Sequence, residues 1–419
     1  MSYLDIFATV CFALAILHTF LVSRFNRLAA RFKPGSVLES TFHLLGEIEV
    51  VFGLWAGLFL IGLASLRGVS ESVHYLTERN FTEPVFVFVI MVVCASRPIL
   101  SFVEHVLERI AKWLPFNAGI SFYLTTLIVA PLLGSFITEP AAMTVTALIL
   151  FDRLYSKKIS KKLKYATLGL LFVNISIGGT LTAFAAPPVL MVAAKWGWTS
   201  SFMFTHFGWK FAVAIVLGTL LTTLLFKKEL STVDVTAVSE KIKIPFWVTL
   251  VHLVMVLLIV LGAHYMAVFV LLFLFFIGFT AITEVYQSKL KFKEGLLVGF
   301  FLGGLVILGG PQKWWLEPIL TQLNAITMFL GAIGLTAFTD NAALTYLGSQ
   351  VPHLSDSIKY ALVAGSVTGG GLTAIANAPN PVGYGILKPA FREDGISPLY
   401  LVLAALPQTA LAAICLWFL

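Results

Sequence analysis

The 419-residue chain is 58% hydrophobic and 12% charged, with a mean hydropathy of +0.93. This excludes a soluble globular domain, in which about 25% of residues are charged. The net charge of +7 sits in short segments between apolar runs, where orienting a chain in a bilayer is sufficient cause, so the lipid bilayer is an implied partner and nucleic acid is excluded.

Residues 1–5 carry no basic leader and no small-residue cleavage site follows the first apolar run, 4–23, which reads as a retained span. Further runs lie at 42–66, 85–103, 119–150, 163–195, 208–226, 245–263, 267–285, 293–310, 318–350, 358–388 and 398–419. The first basic segment, with Arg24, Arg27, Arg31 and Lys33, places the N-terminus outside the cell. Glu104, Arg109 and Lys112 precede run 119–150, and Arg153, Lys157, Lys158, Lys161, Lys162 and Lys164 follow it, so both of its ends face the cytoplasm. Its proline-containing, polar middle then predicts a re-entrant hairpin. Lys227, Lys228, Lys241 and Lys243, and later Lys289, Lys291 and Lys293, mark two more cytoplasmic segments. The segment 351–357 lacks Lys and Arg, whereas Lys388 and Arg392 follow run 358–388, so the hairpin 318–350 opens to the outside. The expected fold is an all-α polytopic membrane protein with about ten crossings, two re-entrant helical hairpins and two broken helices, 163–195 and 358–388. Both termini are expected outside.

The chain repeats itself. Thr138-Glu139-Pro140-Ala141-Ala142-Met143-Thr144 matches Thr339-Asp340-Asn341-Ala342-Ala343-Leu344-Thr345 without a gap. Gly178-Gly179-Thr180-Leu181-Thr182-Ala183-Phe184-Ala185 matches Gly369-Gly370-Gly371-Leu372-Thr373-Ala374-Ile375-Ala376, and Lys164-Tyr165-Ala166 between them matches Lys359-Tyr360-Ala361. Matches in the same order divide the chain into halves 1–232 and 233–419. Each half holds five crossings and a hairpin, and an odd number of crossings inverts one half relative to the other, as in many secondary transporters.

Glycine pairs and prolines interrupt the helical ladder, and lipid penalises the freed carbonyls and amides unless they line a protein cavity. The alternative is that the glycines only permit close packing. Carboxylates within a membrane usually mark an ion or proton path, which makes Glu139 and Asp340 the leading candidates. Their alternative is a structural pairing, with Arg97 or Lys195 as the nearest basic residues. Hard oxygen donors suited to a monovalent cation such as sodium surround both acids in sequence: Thr138, Thr339, Asn341, Asn174, Ser176, Thr182, Thr373, Asn377 and Asn380.

His43 lies four residues before Glu47 on one helical face, a spacing suited to a proton relay or a boundary contact, whereas Glu49 falls on another face. His206, His252 and His264 are isolated, and Trp196, Trp198, Trp209, Trp314 and Trp315 read as interface belts. The three cysteines, Cys11, Cys94 and Cys415, lack metal or disulfide spacing and read as packing residues.

The paired hairpins, each followed by a glycine-broken helix with Asn, Thr and Pro, resemble the ion transporter superfamily that includes NhaD-type sodium/proton antiporters, arsenite transporters and divalent anion/sodium symporters. The resemblance covers both halves and is greatest to bacterial sodium/proton antiporters of that superfamily. In the anion symporters the tips read Ser-Asn-Thr; the carboxylates in Thr138-Glu139-Pro140 and Thr339-Asp340-Asn341 would repel an anion and so favour cations. Asp340-Asn341 is similar to the Asp-Asn of the NhaD-type antiporters, a match that Glu139-Pro140 lacks. The resemblance implies exchange of a monovalent cation, sodium first, for protons in a bacterial inner membrane, by a homodimer that needs no cofactor beyond the transported ions. Sodium-coupled transport of a small organic or inorganic anion is the alternative reading. A passive channel fits paired broken hairpins less well, and no nucleophile–base or metal motif points to an enzyme.

Overall fold

The computed structural model describes residues 3–235, 243–391 and 395–419, and every regular element among them is helical. Lys241 and Arg392, used above for orientation, lie outside the described residues. Among the described residues, five helices are long and apolar enough to cross a membrane: Tyr3–Val22, Ala118–Ile137, Ser200–Leu225, Phe292–Leu320 and Pro398–Phe418. Thr82–Cys94 and Arg97–Trp113 form a sixth candidate, bent by 65°, where Pro98 in the first turn of the second helix cannot continue the ladder of the first. Val51–Arg67, Phe246–Leu261, Met266–Ile282 and Ala325–Thr336 are apolar but shorter.

The four overlong runs each fold as two helices. Run 119–150 becomes Ala118–Ile137 and Glu139–Leu150, parted at Thr138. Run 163–195 becomes Lys161–Gly178 and Pro187–Trp196. The second hairpin comprises Ala325–Thr336 and Asn341–Ser349, starting later than its apolar run because Asn324 and Thr327 close a capping box that separates Lys313–Leu320 from it. Run 358–388 becomes Asp356–Gly369 and Asn380–Leu387.

Packing interleaves these units. The entry helix of each hairpin lies on the upstream segment of the following broken helix. The exit helices cross over: Glu139–Leu150 packs on Asn380–Leu387, and Asn341–Ser349 packs on Pro187–Trp196. The C-terminal helix covers Lys161–Gly178. Beside these units, Phe292–Gly309 packs between Val51–Arg67 and Thr82–Cys94, with Phe301 meeting Phe52 edge-on at 5.3 Å. The half-buried Arg153, at the end of the first hairpin, pairs with Glu108 and lies 3.7 Å from Glu104 on Arg97–Trp113.

The His43 relay is not formed. Its helix, Val37–Leu45, ends at Gly46, so the spacing that would align His43 with Glu47 is lost. His43 lies 3.0 Å from Glu39, and Glu47 pairs with Lys293 at 3.0 Å.

Candidate functional site

The two hairpin tips place their acids differently. Thr138 has φ 74° and ψ 151°, a conformation that β-branched residues rarely adopt. This turn makes Glu139 the first residue of its helix, fully buried, with its N–H toward Ala185 O at 3.5 Å. At the second tip Asp340 is itself the N-cap: one carboxylate oxygen accepts from Ala342 N (2.8 Å) and Ala343 N (3.1 Å). The helix therefore starts one residue later. Asn341 takes the fully buried place, and its N–H donates to Ala376 O at 3.0 Å.

Contacts around the breaks match in pairs. Ala185 and Ala376, the two acceptors, occupy equivalent places in the sequence match, as do Thr182, which donates to Ser135 O (2.7 Å), and Thr373, which donates to Ala337 O (3.0 Å). A Cβ on Gly179 would fall 2.5 Å from the Glu139 carboxylate, and one on the equivalent Gly370 would fall 2.7 Å from the Asn341 amide. Only glycine permits these approaches. By these contacts Glu139 corresponds to Asn341, and Asp340 to Thr138, a shift of one residue from the ungapped sequence match.

The two units meet at Glu139. Asn377 in the second break donates to Glu139 Oε2 at 2.8 Å, and Ser176 in the first broken helix donates to Val367 O in the second at 2.7 Å. Among the described residues, no basic side chain pairs with Glu139 or Asp340, Arg97 and Lys195 included. Glu139 Oε1, both amide atoms of Asn341, Asn377 Oδ1, Asn380 Oδ1 and Thr138 Oγ1 are buried without hydrogen-bond partners. A charge-assisted hydrogen bond contributes about 1.5–3 kcal/mol, against an effective penalty of several kcal/mol for one buried ion. The Asn377 bond alone therefore does not offset a bare carboxylate, and Glu139 calls for a proton or a cation on its free oxygen.

Other sequence candidates are engaged in hydrogen bonds of their own. Asn174 donates to Leu127 O (2.9 Å) and Thr219 Oγ1 (3.1 Å) and accepts from Gln408 Nε2 (2.8 Å), which uses both ends of its amide away from the acids. Asn380 donates to Gly370 O (2.7 Å) and Thr373 O (2.8 Å) and so closes its own break. Thr339 donates to Leu335 O at 3.0 Å within its own turn. Sequence reasoning missed Ser135, whose hydroxyl donates to Gly178 O (2.6 Å) and accepts from Leu181 N (2.9 Å), and Gln408. Their only signal is polarity in an otherwise apolar run. Asp340 and Asn377 also line a mostly apolar cavity of about 350 Å³, with Glu49 on its wall.

A family model described as "Putative Na+/H+ antiporter" matches residues 3–419. The chain belongs to this family. It is accordingly a multi-pass helical membrane protein of ion transport and antiport, with cation and proton as the substrates that family membership implies. No curated protein matches its sequence. Among solved structures, the Alcanivorax borkumensis YdaH transporter, whose crystal structure is described as revealing an unusual topology, is similar at 13% identity and TM-score 0.49, over 88% of this chain and 96% of that one.

Proposed function

We propose that the protein exchanges a monovalent cation, sodium first, for protons by alternating access, and that Glu139 and Asp340 carry the competition. The observation that carries this reading is the fully buried Glu139 carboxylate, which has one hydrogen bond and one partnerless oxygen. A proton or a cation can occupy that oxygen, and exchange follows if only the loaded forms change sides. Asn377 and Asn341 would supply neighbouring amide oxygens, with Thr138 beside them, while Asn174, Asn380, Ser176, Thr182, Thr339 and Thr373 would hold the breaks and tips in shape. The matching contacts of the two breaks support a structural repeat, and the proposal takes it as inverted, with ten crossings, two re-entrant hairpins and a bacterial inner-membrane location.

The test is a sodium or lithium pulse applied to proteoliposomes containing an internal pH dye. Proton movement is expected with wild type, and its loss, by about tenfold or more, with a well-folded Asp340→Asn variant. Cation pulses that move no protons would overturn the reading, and sodium flux that requires an anion would favour sodium-coupled anion transport instead. Unchanged exchange in folded Asp340→Asn would remove that residue from the mechanism.

A further inference from the structure

Going beyond the exchange reading, and sharing Asp340 and Asn377 with it, we infer that the 350 Å³ cavity is a binding site for an organic monocation: an apolar body bearing one ammonium, amidinium or guanidinium group. The cavity lies between the N-terminal helix, Val51–Arg67, Phe292–Gly309 and the second hairpin. Its size falls in the range of small-molecule sites, and it is far larger than a single metal ion requires. Phe52, Phe301 and Trp315 form part of a wall that is otherwise mostly aliphatic, a surface that favours an apolar body over a hydrated ion.

The polar groups select the charge. Asp340 and Glu49 contribute two carboxylates, and among the described residues the lining contains no Lys, Arg or His. Asn377, 1% exposed, turns its amide nitrogen to Glu139 and leaves Oδ1 without a partner. The remaining donors of the wall are committed elsewhere: Thr19 to Ile16 O, Thr327 to Asn324 O, Thr339 to Leu335 O and the Trp315 indole to Gln312. The polar lining is thus weighted toward acceptors in an otherwise apolar chamber. A ligand with N–H donors and a positive charge satisfies them, whereas a neutral or anionic ligand of the same shape leaves buried acceptors unpaired or sets like charges together. Because Asp340 is common to both, such a ligand and the inorganic cation exclude each other.

The experiment titrates the purified full-length protein with three probes that share one body: 4-phenylbutylamine, 4-phenylbutanol and 4-phenylbutyrate. Binding is followed by calorimetry and by tryptophan fluorescence, for which Trp315 is the local reporter. Saturable binding is expected for the amine, about tenfold or more tighter than for the alcohol, with sodium raising the apparent Kd of the amine. Gly331 lines the cavity, and a Cβ there would meet no heavy atom within 4 Å. Gly331→Leu should therefore abolish amine binding at an unchanged unfolding temperature, and Glu49→Gln should weaken it by about tenfold. Equal binding of the alcohol, or wild-type affinity for the amine in either folded variant, would overturn the inference. The titration needs no transport, so a failure of sodium-driven proton movement would sink the exchange reading and leave this result standing.

Discussion

The first break is stitched to its hairpin and the second to itself, although the two backbones make matching contacts. Ser135, on the hairpin, holds both Gly178 O and Leu181 N of the first break. In the second, Asn380 reaches back from the downstream helix to Gly370 O and Thr373 O, and the hairpin is joined through Thr373 and the Asn341 N–H. The acids divide in the same way: Glu139 lies inside, bonded across to the other unit, whereas Asp340 caps its helix beside a cavity. A shared backbone plan thus leaves the side chains free to take different roles. The position that caps the exit helix decides which residue is turned inward.

The strongest way to break this comparison is Asn377→Leu, which removes the one hydrogen bond of a fully buried carboxylate. If Glu139 is ionised, stability should fall by about 3–5 kcal/mol, read as a large drop in unfolding temperature in detergent, and adding Glu139→Gln should recover part of it. An unchanged unfolding temperature would mean that the Asn377 bond does not hold the two units together. A second effect separates the two stitches. Ser135→Ala leaves a carbonyl and an amide unpaired, at about 1–3 kcal/mol each, and should speed hydrogen exchange in both the first break and its hairpin tip. Asn380→Ala should speed exchange at 370–373 while leaving the second hairpin tip protected. Identical exchange patterns in the two variants would erase the distinction.

Much of the candidate site is legible in sequence because its devices are rare in membrane helices. Glycine pairs, prolines and intramembrane acids stand out against apolar surroundings, and the four overlong runs are divided where these residues fall. Register is not legible. The ungapped match aligns Glu139 with Asp340, but a carboxylate one residue from a helix start can either cap the helix or enter it, and only the backbone conformations of Thr138 and Asp340 decide. Partner choice is also hidden. Both Asn174 and Asn377 are sequence candidates, yet Asn174 donates to Leu127 and Thr219 and accepts from Gln408, contacts made across long sequence separations. His43 and Glu47 mislead for a local reason: a helical spacing has meaning only while the helix continues, and Gly46 ends it.

The smallest expected effect is also the most selective test of the second tip. Asp340 combines two properties, an N-cap acceptor and a negative charge, and substitutions separate them. Asn caps about as well as Asp, whereas Ala does not and costs about 0.5–2 kcal/mol at such a position. Asp340→Ala should therefore lower the unfolding temperature slightly, while Asp340→Asn should leave it near wild type, because the amide oxygen can still accept from Ala342 N and Ala343 N. At the first tip, by contrast, Glu139 is not the cap but the first residue of the helix, and its side chain bonds to Asn377 rather than to its own helix. Glu139→Ala should then show no capping signature, that is, no selective loss of amide protection in the first turn of 139–150. A capping loss there equal to that of Asp340→Ala would mean that the two acids are equivalent after all, and that the ungapped sequence match gives the true correspondence.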